Sequence, residues 1–226
     1  MKRVLLILAA CVTAAQAHDI ITTPITFDRE ISRILYDRCN RCHHPDGSAF
    51  SLMTYSDARP WAVAIKEEVL ARRMPPWGAV KGFGDFRNDR ALTPEQLEVI
   101  TSWVDGGVPE GEQKDLPPEP KFPATPAIEH RHGEIAVNGE MQLTRDLMLD
   151  GLVIEKLPDN ATCQVTAELP DGSVEPLVWV ENYKPKFGHP FLLRKPVDLP
   201  KGTKIHGVPD GASIILQPAA PPPATE

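Results

Sequence analysis

A proline-rich run in the middle of the chain limits most strongly the folds open to it. Leu116-Pro117-Pro118-Glu119-Pro120-Lys121-Phe122-Pro123 continues to Pro126. Each proline fixes φ and removes a backbone donor, so the run favours extended polyproline II over a helix or a central strand. It predicts a semi-rigid linker over residues 113–128. The 226 residues leave room for a domain on each side. A second proline-rich stretch, residues 218–226, predicts a disordered tail.

Before the linker the periodicity is helical. Phe27, Ile31, Ile34 and Leu35 fall on one face, and Trp61, Ile65 and Val69 form a second stripe with Pro60 at its start. Thr93 is placed to cap a third helix, with Pro94 in the first turn, Gln96 closing a capping box and Gly106-Gly107 ending it. Leu97, Ile100 and Val104 make its apolar face. Beyond the linker the period changes to two. Cys163 to Leu169 alternates, Pro170-Asp171-Gly172 is a turn, and Val174 to Val180 returns. The same punctuation recurs at Leu157-Pro158-Asp159-Asn160 and Leu199-Pro200-Lys201-Gly202. The expected fold class is an α+β multidomain chain: an all-α domain over residues 22–112, then an all-β, antiparallel sandwich-like domain over 129–217.

The first 17 residues read as an export signal. Lys2 and Arg3 precede a short apolar run, and Ala15-Gln16-Ala17 is a small-x-small cleavage pattern. A competing reading places lipoprotein processing at Leu8-Ala9-Ala10-Cys11. Cleavage after Ala17 would free His18 as a terminal copper ligand or a loose end. The net charge of −7 becomes −9 once Lys2 and Arg3 leave, which argues against nucleic-acid or anionic-membrane partners. No later segment is long and apolar enough to span a bilayer. A bacterial periplasmic or secreted location is expected.

Cys39-Asn40-Arg41-Cys42-His43 carries the chemistry. Two thiols three residues apart can each add to a haem vinyl group, and the adjacent histidine is then held under the iron. A redox disulfide would sit in a βαβ context, and a zinc site would need a second cysteine pair; neither is present. The expected cofactor is one covalent haem c, held by Cys39 and Cys42, with His43 as proximal iron ligand. Met74, in Arg72-Arg73-Met74-Pro75-Pro76-Trp77, is the expected distal ligand, with Met53 as its rival and core packing as the alternative for either. His/Met ligation fills both axial positions and raises the reduction potential, favouring electron transfer over oxygen chemistry. Arg72, Arg73 and Trp77 could bond the haem propionates. His44 is expected at the surface, and Cys163 as a small buried side chain. His130 and His132 could share one face of a strand and hold copper or zinc. His189 and His206 are read as structural.

Residues from about Thr26 to Glu112 resemble the cytochrome c domain found ahead of bacterial copper type II, ascorbate-dependent monooxygenase-like domains. The matching pieces are the Cys39–His43 motif, Phe50-Ser51-Leu52-Met53-Thr54-Tyr55, Asp57 to Trp61, Arg73 to Trp77 and Leu92-Thr93-Pro94-Glu95. The resemblance implies haem attachment at Cys39, Cys42 and His43, and Met74 as distal ligand. Leu169 to Gly172 and Leu199 to Thr203 resemble the end of the monooxygenase C-terminal domain. That family sets a His-x-His copper pair shortly before the Pro-Asp-Gly turn. Here the pair ends at His132, 38 residues before Pro170, which implies a related scaffold without the hydroxylating site. The expected function is single-electron transfer to or from a periplasmic redox protein or enzyme complex, with no catalytic residues. A copper-dependent oxidase using His130 and His132, and a haem-based sensor with an open iron site, are the alternatives.

Overall fold

The computed structural model describes residues 23–122 and 130–220. The expected signal with Cys11, His18, residues 123–128 of the linker and residues 221–226 of the tail lie outside them. The described residues form two compact units. One comprises residues 23–70 and 93–120, the other residues 71–92, 121–122 and 130–220.

The protein is mostly β. The first unit contains three short helices and one helical turn: α1 (Ser32–Arg38), the turn α2 (Tyr55–Ala58), α3 (Ala62–Leu70) and α4 (Pro94–Asp105). The other unit is built around two antiparallel four-stranded sheets. The expected all-α cytochrome c domain over residues 22–112 is not evident, and the fold class is corrected accordingly. Helical periodicity is a local signal, and here it extends over helices of 12 residues or fewer. Between α3 and α4, residues 71–92 have no helical stripe and belong to the β unit.

In the first unit, a π-helical turn at Phe27–Ile31 leads into α1. Phe27, Ile31, Ile34 and Leu35 are all buried. Thr93 caps α4: its hydroxyl accepts from the Gln96 amide at 3.2 Å, and the Gln96 side chain accepts from the Thr93 amide at 3.0 Å. The main buried side chain of α4 is Trp103, which meets Phe27 at 6.3 Å and donates from Nε1 to the Pro109 carbonyl at 3.0 Å. Thr93→Ala is expected to cost about 1 kcal/mol through the lost cap, measurable by urea denaturation.

In the β unit, one sheet has the order β1 (Ile135–Val137), β8 (Ser213–Pro218), β3 (Leu147–Lys156), β6 (Pro190–Leu199). The other has the order β2 (Met141–Gln142), β7 (Lys204–His206), β4 (Cys163–Glu168), β5 (Val174–Val180). Apolar residues of both sheets share one core, which Trp77 and Phe86 also enter. Along β4 Cys163, Val165 and Ala167 are buried, as a period of two requires. Gly172 and Gly202 sit at φ +86° and +95° in their turns, where glycine has no steric penalty.

Residues 78–88 run along the outer edges of both sheets. Val80 donates to Trp179 at 2.8 Å and Glu181 to Gly78 at 2.9 Å, beside β5. Arg87 donates to Leu192 at 2.9 Å and Arg194 to Asp85 at 2.8 Å, beside β6. These bonds satisfy edge groups that would otherwise template further strands. A β-bulge at Asp150 in β3 interrupts the pairing with both neighbours. The Asp150 carboxylate accepts two bonds from Arg87, at 2.8 and 2.9 Å, and one from Arg131 at 2.6 Å.

Candidate functional site

The Cys39–His43 motif begins where α1 ends. Cys39 and Asn40 both donate to the Leu35 carbonyl, closing the helix, and the Cys42 and His43 amides then both donate to the Cys39 carbonyl at 3.1 Å. The result is one tight turn carrying both thiols and the imidazole. The following loop returns along the motif: Ala49 donates to Cys42 at 3.1 Å and Leu52 to His43 at 3.0 Å. Gly47 is required for that return, because a Cβ there would lie 2.2 Å from the Cys42 carbonyl oxygen.

His43 Nδ1 lies 2.9 Å from the Phe50 carbonyl oxygen. A carbonyl can only accept, so in the neutral ring Nδ1 carries the proton and Nε2 presents its lone pair. Burial pushes the His43 pKa down, with the Phe50 bond opposing it. The ring is therefore neutral near pH 7, as an iron ligand must be. The Phe50 ring meets His43 edge-on at 4.8 Å and stacks on Trp61 at 4.4 Å. Both aromatic side chains are exposed, at 48% and 45%.

Cys39 and Cys42 are not joined to each other by a disulfide. Burial pushes the Cys39 pKa up to about 12; Asp37 and Cys42 add to the shift and Arg38 opposes it. That disfavours disulfide exchange through Cys39, which depends on a lowered thiol pKa. A thioether carries no charge, so the same burial does not oppose it. Two half-buried cysteines, a neutral imidazole and a free Nε2 fit a covalently attached haem.

The two methionines differ. Met53 is buried, and its sulfur accepts from Asn40 Nδ2 at 3.0 Å. Met74 is half-buried in the bend at the start of the β unit. Trp77, considered for the propionates, is instead a core residue of the β unit, stacked on His189 at 4.7 Å. Arg72 and Arg73 are exposed, and His44 is half-buried.

His130 and His132 lie in the turn before β1, not on a strand, and His130 Nδ1 faces Glu134 at 2.9 Å. Among the described residues no group of three or more His, Cys, Asp or Glu side chains is arranged to hold a metal ion. His206 lies between Glu140 and Glu168, at 3.2 and 3.5 Å. His189 packs against Trp77 and Phe191, and burial pushes its pKa down. Cys163 is buried in β4, which raises its pKa to about 11.

Sequence reasoning missed the Phe50 carbonyl and Asn40. The first is a backbone atom without a sequence signal. The second stands at a position of the motif where any residue is allowed. No protein-family model matches this chain, and no curated protein or solved structure is significantly similar to it. Among the described residues no helix is long and apolar enough to cross a membrane.

Proposed function

We propose that this chain is an exported mono-haem c-type protein that passes single electrons to or from a redox partner outside the cytoplasm. Cys39 and Cys42 would hold one haem through thioethers, and His43 and Met74 would supply its iron ligands. The observation that carries the reading is the bond between His43 Nδ1 and the Phe50 carbonyl, because it leaves Nε2 free within a Cys-x-x-Cys-His turn.

The haem supplies a one-electron iron couple. The two sulfurs fix its position, and the Phe50 carbonyl fixes the orientation and basicity of His43. A thioether from Met74 raises the potential relative to a second histidine and closes the position that oxygen or carbon monoxide would need. Met53 is less suited to that role, since its sulfur already accepts a hydrogen bond in the core.

The test is the spectrum of the purified full chain after acid-acetone extraction, which removes only non-covalent haem. Haem absorption should remain with the polypeptide. A colourless protein with Cys39 and Cys42 free, or joined to each other, overturns the proposal. Met74→Ala should abolish the sulfur-to-iron charge-transfer band and lower the reduction potential. An unchanged spectrum would transfer the ligand role to Met53.

A further inference from the structure

Asn40, between the two haem-motif cysteines, is not a solvated spacer. Its side chain is fully buried. Nδ2 donates to the Leu52 carbonyl at 3.4 Å and to Met53 Sδ at 3.0 Å. Turning the amide over would set Oδ1 against the Leu52 carbonyl, two acceptors face to face, so chemistry selects the orientation seen. Oδ1 has no hydrogen-bond partner among the described residues. An unpaired buried acceptor destabilises a protein, and an apolar residue of similar size would avoid that penalty. A polar side chain here therefore points to a role beyond filling space.

The bonds around Asn40 indicate that role. Residues 49–53 run beside the motif, and Leu52 donates to His43 while Tyr36 donates to the Met53 carbonyl at 3.2 Å. The same run supplies the Phe50 carbonyl to His43 Nδ1. Asn40 ties the far end of this run back to the turn that carries the cysteines.

We propose that Asn40 is a positioning residue for His43: its buried carboxamide fixes Leu52 and Met53, and so holds the Phe50 carbonyl on His43 Nδ1. The proposal rests on reading His43 as the iron ligand. A second consequence is that the Met53 sulfur stays bound to Asn40 and is withheld from the iron.

The test compares the haem-loaded full chain with Asn40→Leu, which keeps the volume and removes the donor. Three quantities are read: acid-acetone-resistant haem, reduction potential, and the exchange rate of the His43 Nδ1 proton. The haem content should be unchanged. The potential should rise, because a weaker bond at Nδ1 makes the imidazole a poorer electron donor to ferric iron. Proton exchange should quicken by about tenfold, the scale of one lost hydrogen bond. Ser48→Ala, on the exposed loop, should move none of the three. If Asn40→Leu does not fold, Asn40→Ser is read in the same way. A variant that melts earlier but keeps the wild-type potential and exchange rate overturns the proposal and leaves the haem assignment standing. Wild-type protein without attached haem overturns both.

Discussion

A chain in which both Cys39 and Cys42 are replaced by alanine is expected to release all of its haem into acid acetone, while the wild-type chain keeps its haem in the protein pellet. The effect is all-or-none because a thioether is a covalent bond, not a binding equilibrium. Alanine removes the sulfurs without adding charge or bulk to the turn. The backbone bonds that shape the turn, from Cys42 and His43 to the Cys39 carbonyl and from Leu52 to His43, involve no cysteine side chain. The double variant should therefore fold. It may be compared with wild type by pyridine haemochrome spectra taken before and after extraction. Resistant haem surviving the loss of both sulfurs would place the attachment elsewhere in the chain.

Asp150→Ala is expected to destabilise the β unit by about 3 kcal/mol at neutral pH, because it leaves Arg87 and Arg131 facing one another without their shared counter-charge. Partial solvation of the two arginines keeps the figure at the low end for a broken buried pair; their side chains are 39% and 30% exposed. The Asp150 carboxyl is held below its ordinary range, first by its hydrogen bonds from Arg87 and then by Arg131, with burial opposing. A depressed native pKa contributes stability that is present above the unfolded value of about 3.9 and is lost as pH falls through the native value. The gap between wild type and variant in urea denaturation should thus be full at pH 7 and should close in acid, below about pH 4. A gap of the same size at pH 7 and pH 3 would mean that the ion cluster is not its source.

The elements that were legible in the sequence are those whose signal is local. Thr93, Pro94 and Gln96 mark the start of α4, and the alternation of Cys163, Val165 and Ala167 marks β4. The Cys-x-x-Cys-His turn is legible because the spacing of its side chains is itself the chemistry. The expectation of one all-α domain failed at residues 71–92. Gly78, Gly82 and Gly84, all at positive φ, allow an irregular path there, and what organises that path is pairing with strands about 100 residues later. Such pairing leaves no periodicity to read. The Asp150 bulge was hidden for a related reason. An acidic residue inside an apolar run looks like an interruption until its two arginine partners are known, and Gly151 was the one hint. At the candidate site, Asn40 and the Phe50 carbonyl act through backbone and buried contacts, which residue types alone do not announce.

The order of synthesis adds a constraint that follows from residues 78–88. They leave the ribosome long before β5 and β6, the strands whose outer edges they bond. Until those strands are made, the early segment has nothing to pair with, so the β unit closes only after a long loop has been gathered. Contacts so distant along the chain slow folding. The polypeptide carrying the thiols of Cys39 and Cys42 thus emerges first, while the unit that starts at residue 71 is among the last parts to be completed.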